Sequence, residues 1–194
     1  MRDSEGRGRG LNVVALLATL QSVPEPRAAA EQDRDDHDMH VVDEPGGKEL
    51  ADYGGSSADA QHLTAELVGR FAFDRKPLPA IALTTNQAIL TAWSNDQSFT
   101  DVFARQIDAL GAPGDVAWGI STSGTSANVV NGLRRARERG LRTIGMTGES
   151  GGDLAKLCDV LLAVPLDTTA RIQEIHLVTY HSICAALERR LFGR

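Results

Sequence analysis

Basic residues are in the minority: 20 Lys and Arg stand against 26 Asp and Glu, a formal net charge of −6. Nothing in that balance offsets the repulsion of a phosphate backbone, so a general nucleic-acid surface is excluded and no nucleic-acid partner is expected. No segment reaches the ~18 consecutive apolar residues of a membrane span, so no membrane partner is expected either. Cysteine is scarce. Cys158 and Cys184 are the only two, and they lack metal-type spacing. Both sit in apolar company, which predicts buried free thiols in a reducing compartment, and hence the cytoplasm. After residue 46 there is no internal repeat and no low-complexity segment.

What is present centres on residues 119–126, GISTSGTS, between a short apolar stretch (115–120) and a helical one (127–139). A strand–loop–helix junction of this kind gathers free N–H groups at a helix N-terminus, where the dipole favours an anion. Ser121, Thr122, Ser123 and Ser126 can each donate to a phosphate oxygen, and Gly124 lets the backbone come close. A plain N-cap needs one such hydroxyl, not four in six residues, and phosphate binding is the favoured interpretation.

The first 46 residues are set apart as a poorly defined N-terminal extension, with 47–194 as the folded domain. Arg2, Arg7 and Arg9 before LNVVALLATL (11–20) give the outline of a secretory signal. Asp3, Glu5, Pro24 and Pro26 argue against export, and a short amphipathic helix is expected instead. Residues 31–38 are almost entirely charged and read as solvated helix or loop. Residues 46–55 stand where a first strand should lead into a glycine turn. Glu49 and Asp52 suit a strand buried on both faces poorly, so a short or edge strand is expected there.

From Ser56 the pattern sharpens. Leu63, Leu67 and Phe71 lie four apart and predict a helix over 56–71. Strands are expected at 80–84, 115–120, 142–147 and 160–165, and helices at 99–110, 127–139, 153–157 and 169–192. Gly140 is the expected stop of the 127–139 helix. Strands alternating with helices imply a parallel sheet covered on both faces. Ligands bind such sheets beyond the carboxyl ends of the strands, where 121–126 falls.

His62 and Glu66, four apart on a predicted helix, form a pair capable of metal ligation or proton transfer. The plainer alternatives are a helix-surface hydrogen bond and a pairing of Glu66 with Arg70. On the last helix Gln173, His176 and His181 are polar among apolar neighbours. Gln173 and His181 are separated by roughly 12 Å along an ideal helix, so a shared ligand needs both to lean inward or to act from different chains. His176 reads as a core or interface histidine held by a hydrogen bond. Asn95 and Asp96 are expected as a loop pair between helices, suited to sugar hydroxyls or to a capping turn.

Six of these stretches occur together in an order that resembles the phosphoheptose isomerases of the sugar-isomerase (SIS) fold. They are GGSSADAQHLTAELVGR (54–70), PAIALT (79–84), Asn95-Asp96, VFARQ (102–106), GISTSGTS (119–126) and ARIQEIH (170–176). The resemblance implies a flavodoxin-like α/β three-layer sandwich with a central parallel sheet, assembled as a homotetramer with active sites between subunits. It implies conversion of sedoheptulose 7-phosphate to D-glycero-D-manno-heptose 7-phosphate by enediol proton transfer. It assigns phosphate binding to Ser121, Thr122, Ser123 and Ser126, and substrate contacts to Gly54, Gly55, Ser56, Glu66, Asn95, Asp96 and Gln173. It also makes Glu66 and His181 the acid/base pair, and His62, Glu66, Gln173 and His181 the ligands of one zinc ion per subunit. Tyr53 departs from the family pattern, which has Asn before the two glycines. The same fold also serves non-catalytic tetramers that bind a protein partner such as the bacterial replication initiator, so the motif alone leaves that alternative open. A sugar-phosphate-sensing regulator is disfavoured, because no helix-turn-helix region is visible.

Overall fold

Alternation along one central strand builds both layers of the protein. In Val116–Ile120 (β3), Ala117 faces one core, while Trp118 and Ile120 face the other. Gly119 lies so close under the next helix that a Cβ there would come within 2.8 Å of Leu133 and 2.9 Å of Val129. The computed structural model describes the strand Val13–Ala18 (β1) and residues 54–193. The other strands are Ala80–Ala82 (β2), Arg142–Thr147 (β4) and Val160–Ala163 (β5). All neighbours pair in parallel, in the order β2-β1-β3-β4-β5. That is the flavodoxin-like order, and its reversal point lies between β1 and β3.

Among the described residues five α-helices cover the two faces: Gly55–Val68 (α1), Gln87–Asp96 (α2), Val102–Leu110 (α3), Ala127–Glu138 (α4) and Thr169–Phe192 (α5). One core gathers Val102, Phe103 and Ile107 of α3 with Val129 and Leu133 of α4. The other gathers Leu63 and Leu67 of α1 with Tyr180 and Cys184 of α5 against Trp118 and Met146. The expected three-layer sandwich is the architecture found. Left-handed Gly140 (φ 78°) stops α4 as expected, with the Leu141 N–H closing onto the Ala136 carbonyl at 2.9 Å. The helix expected from Phe99 begins as a 3-10 turn, Phe99–Asp101, before α3.

Two sequence expectations are corrected. The apolar run 11–20 is not an amphipathic helix: its Val13–Ala18 segment is a strand between β2 and β3. VVALLA is continuously apolar, as a strand with a helical layer on each side requires, and its neighbours supply backbone partners on both edges. The strand expected within 46–55 lies mostly outside the described residues, and Gly55 already belongs to α1. Asn95 and Asp96 are not a loop pair but the last two residues of α2. The Asn86 side chain starts that helix by accepting the Ile89 N–H at 3.1 Å, and the helix runs ten residues from there.

A buried ion pair ties α1 to α5. Glu188 accepts the Phe71 and Ala72 N–H groups at 2.7 and 2.8 Å and Arg75 Nε at 2.9 Å. Arg75 in turn donates to the Glu66 and Leu67 carbonyls at 2.7 and 2.8 Å, closing the exposed end of α1. The two side chains are only 2% and 1% exposed. Burial pushes the Glu188 carboxyl up, but the two N–H groups and Arg75 outweigh it and hold it below its ordinary value. A group with a lowered folded pKa stabilises above its ordinary value of 4.5 and ceases to as the pH falls through the lowered one. Arg75→Met should therefore cost about 3–5 kcal/mol in urea unfolding at pH 7, since it strands a buried charge. Glu188→Gln should flatten the fall in stability below pH 4.5, measured at one fixed protein concentration.

Candidate active site

Ser121 follows β3 directly, and its N–H is spent on the Met146 carbonyl at 2.9 Å. Its hydroxyl is buried and lies 3.0 Å from the Ser126 hydroxyl and 3.4 Å from that of Ser123. Ser126 occupies the N-cap position of α4 without making a side-chain cap bond. The plain-cap interpretation therefore does not hold, because this hydroxyl turns into the loop. The first turn of α4 consequently keeps N–H groups that have no partner inside the helix. Gly124 adopts φ 68°, and a Cβ there would run into the Gly151 carbonyl. The Gly148 N–H to the Thr122 carbonyl at 2.8 Å and the Leu154 N–H to the Gly124 carbonyl at 3.1 Å brace the loop from the β4 side. The result is a concave, hydroxyl-lined turn at the carboxyl end of β3, beside the reversal point of the sheet.

The second cluster forms where α1 and α5 meet. His62 Nε2 lies 3.1 Å from Glu66 Oε1 and 3.5 Å from His181 Nε2. The ligand atoms of these three residues all fall within 4.8 Å of one another. Glu66 is engaged with His62, as the i,i+4 spacing predicts. His181 is held by edge-on contacts with His62 (5.0 Å) and Tyr180 (4.9 Å) and by Phe71 at 5.3 Å. Two imidazoles and a carboxylate are a donor set that zinc accepts. Neighbouring ligands of a tetrahedral zinc stand about 3.4 Å apart; the 3.1 and 3.5 Å separations are close to that spacing, and Glu66 and His181 lie within 4.8 Å.

Gln173 sits elsewhere on the same seam. Its carboxamide packs over Gly55 so closely that a Cβ there would collide with it. It is thus placed at the start of α1 beside Gly54, Gly55 and buried Ser56, roughly two helical turns from His181. The preceding residue, Ile172, touches Gly148 where that glycine backs Thr122, so the start of α5 borders the hydroxyl loop. Asn95 and Asp96 are exposed and bonded to each other at 3.1 Å. Asp96 borders a cleft between α2 and α3, beside Trp93 with Arg105 stacked 4.7 Å above it.

His176 is a core histidine, fully buried with Nε2 3.2 Å from the Thr147 carbonyl, and burial pushes its pKa down. Burial also raises the Cys158 and Cys184 thiols, to about 11 and about 12, so neither is primed as a nucleophile.

Sequence reasoning missed two participants. Tyr180 Oη lies 3.0 Å from His62 Nδ1 and 3.3 Å from Asp59 Oδ1. Burial, then the Asp59 charge and hydrogen bond, push the Tyr180 hydroxyl well above its ordinary value. Burial likewise raises Asp59, against the Tyr180 hydrogen bond and the His62 and His181 charges that lower it. The spacing Asp59-x-x-His62-x-x-x-Glu66 puts three polar groups on one helix face, a signal readable in the chain.

Comparison with known proteins converges on one family. Residues 51–148 match the SIS domain family model. A phosphoheptose isomerase of Crocosphaera subtropica is 59% identical over 141 residues, covering 73% of this chain and 72% of that protein. One from Burkholderia pseudomallei is 46% identical over 179 residues, covering 92% and 85%. The solved phosphoheptose isomerase of Neisseria gonorrhoeae, 48% identical, superposes with a TM-score of 0.66 over 70% of this chain and 72% of that one. With its flavodoxin-like sheet, hydroxyl loop and His–Glu–His cluster, the chain belongs to the phosphoheptose isomerase family of SIS-domain proteins.

Proposed function

We propose that this chain interconverts sedoheptulose 7-phosphate and D-glycero-D-manno-heptose 7-phosphate, using Glu66 and His181 as base and acid. The observation that carries the proposal is the meeting of Glu66 with His62 and His181 in one cluster, on a helix seam whose start borders the hydroxyl loop. The phosphate is bound by the hydroxyls of Ser121, Thr122, Ser123 and Ser126 and by the first turn of α4. The sugar chain then runs past Gly54, Gly55, Ser56 and Gln173 towards the cluster, with Asn95 and Asp96 on its hydroxyls.

The reaction moves a carbonyl from C2 to C1. Glu66 takes the proton from C1 while His181 protonates the C2 oxygen, giving a 1,2-enediol. Glu66 then returns its proton to C2 as His181 takes the one on the C1 oxygen, and the aldose results with both groups restored. His62, Glu66 and His181 would hold one zinc ion, and a Gln173 ligand would have to come from another chain of the tetramer, because this chain's own Gln173 lies over Gly55. Zinc so bound supplies a Lewis acid that stabilises negative charge on the substrate oxygens. Glu66 would hold the ion with one carboxylate oxygen and keep the other for the carbon-bound proton, and His181, holding it through Nε2, would exchange its proton through Nδ1.

A homotetramer is part of the same proposal. Ile175 and Val178 on α5 are 43% and 59% exposed in the single chain, apolar surface that a neighbouring copy would cover. Among the described residues no helix is long and apolar enough to cross a membrane. Both cysteines are free thiols, and we place the protein in the cytoplasm on that ground.

Three outcomes are expected. Glu66→Gln should lower kcat by about 10²–10⁴-fold with KM little changed, followed as aldose formation from sedoheptulose 7-phosphate. Near-normal turnover would instead leave Glu66 as a surface partner of His62 and favour a binding protein. The pair Ser121→Ala and Ser123→Ala should raise KM by about 100-fold, because each lost hydroxyl bond to a charged phosphate costs about 1.5 kcal/mol. Light scattering at micromolar concentration should give four times the chain mass of 20.8 kDa, and a stable monomer would contradict the assembly.

A further inference from the structure

We propose that Tyr180 is a positioning residue for His62. Its buried hydroxyl takes the His62 Nδ1 proton and passes its own to Asp59, which leaves the Nε2 lone pair aimed at the metal position. The inference rests on the zinc site proposed above and concerns this chain's own residues around it.

The argument is one of counting protons. Tyr180 is fully buried, and its hydroxyl has one hydrogen for two neighbours, His62 Nδ1 at 3.0 Å and Asp59 Oδ1 at 3.3 Å. A neutral imidazole that binds a cation through Nε2 must carry its hydrogen on Nδ1. The Nδ1–H then donates to the Tyr180 oxygen, and the Tyr180 hydrogen goes to Asp59. Each contact has one donor and one acceptor, and the chain ends on a carboxylate. The opposite direction sends the Tyr180 hydrogen to Nδ1 and puts the imidazole hydrogen on Nε2, towards Glu66 Oε1 at 3.1 Å. That arrangement deprives Asp59 of its one hydrogen-bond partner among the described residues, where its other oxygen, Oδ2, is already buried without one. An unpartnered carboxylate is costly, so once a cation replaces the hydrogen between His62 Nε2 and Glu66 Oε1, Asp59 favours the direction that frees Nε2. Metal-bound histidines commonly hand their second N–H to a carboxylate, and here a tyrosine hydroxyl spans the gap.

The backbone keeps the chain in register. Asp59 and His62 are three apart on α1, and Tyr180 is next to His181 on α5. The Tyr180 ring meets His62 edge-on at 5.6 Å and His181 at 4.9 Å. Phenylalanine in its place keeps those ring contacts and removes only the hydroxyl.

Zinc affinity, measured by chelator competition on the full-length protein, separates the possibilities. Tyr180→Phe is expected to weaken zinc binding 10- to 100-fold while the melting temperature of the metal-free protein stays near that of the wild type. Asp59→Asn, which keeps the hydroxyl and removes the charge, should weaken zinc in the same direction. It serves as the second variant should Tyr180→Phe fold poorly. In long-range proton–nitrogen NMR of the zinc-loaded wild type, His62 should show a slowly exchanging Nδ1–H, lost in Tyr180→Phe. A loss of affinity below tenfold in both variants, with zinc bound by the wild type, overturns the role of Tyr180 and leaves the zinc site standing. Failure of the wild type itself to bind zinc overturns both.

Discussion

The seam between α1 and α5 sets the height of every group in the His62–Glu66–His181 cluster. Three contacts run along it in the same sense on both helices. Gln173 meets Gly55, Tyr180 meets Asp59 and His62, and Glu188 meets Phe71 and Ala72. The helices therefore lie parallel, and a slip of one turn, about 5.4 Å, would separate His181 from His62. The apolar contacts of Leu63, Leu67 and Cys184 bring the helices together but tolerate sliding. The buried Glu188–Arg75 pair does not, because its hydrogen bonds are directional and its charges have no water to fall back on. Arg75 also reaches the carbonyl of Glu66, so the residue that locks the seam holds the backbone of the proposed base.

The hydroxyl loop obeys a different constraint. Its position follows from the sheet: β3 delivers it at the point where strand order reverses, and α4 begins directly after it. Its shape follows from glycines. A side chain at Gly124 would strike Gly151, and one at Gly148 would come within 2.8 Å of the Thr122 carbonyl, so two loops pack backbone to backbone. Within the loop Ser121 Oγ accepts the Gly124 N–H at 3.2 Å and Ser123 Oγ the Thr125 N–H at 3.3 Å, so the serine side chains are held in place around the turn. Ile172 and Gln173 then carry the start of α5 from this loop to Gly55, joining the hydroxyl loop to the seam.

Local signals carried far along this chain. The hydroxyl density of 121–126, the 62/66 spacing and the six motifs in order were legible because each lies within a few residues or repeats at a helical period. The N-terminal apolar run was misjudged for a physical reason. Eight apolar residues in a run of ten, with no clear alternation, suit a helix or a fully buried strand equally, and only neighbours with free backbone edges decide between them. Asn95 and Asp96 looked like a loop because Asn and Asp weaken helices. The Asn86 cap and ten residues of continuous pairing outweighed that preference.

The sequence by itself determined the alternation of strands and helices, the hydroxyl-rich loop between strand and helix, and the family. These depend on periodicity and on short motifs, which a chain displays without being folded. Only the tertiary structure decided that His181 stands 3.5 Å from His62, that Gln173 lies over Gly55, and that Tyr180 and Asp59 stand behind the cluster. Those partners are separated by more than a hundred residues, and their distances depend on how two helices slide against each other. No local preference encodes that register; a buried ion pair at one end and close-packed side chains along the seam select it.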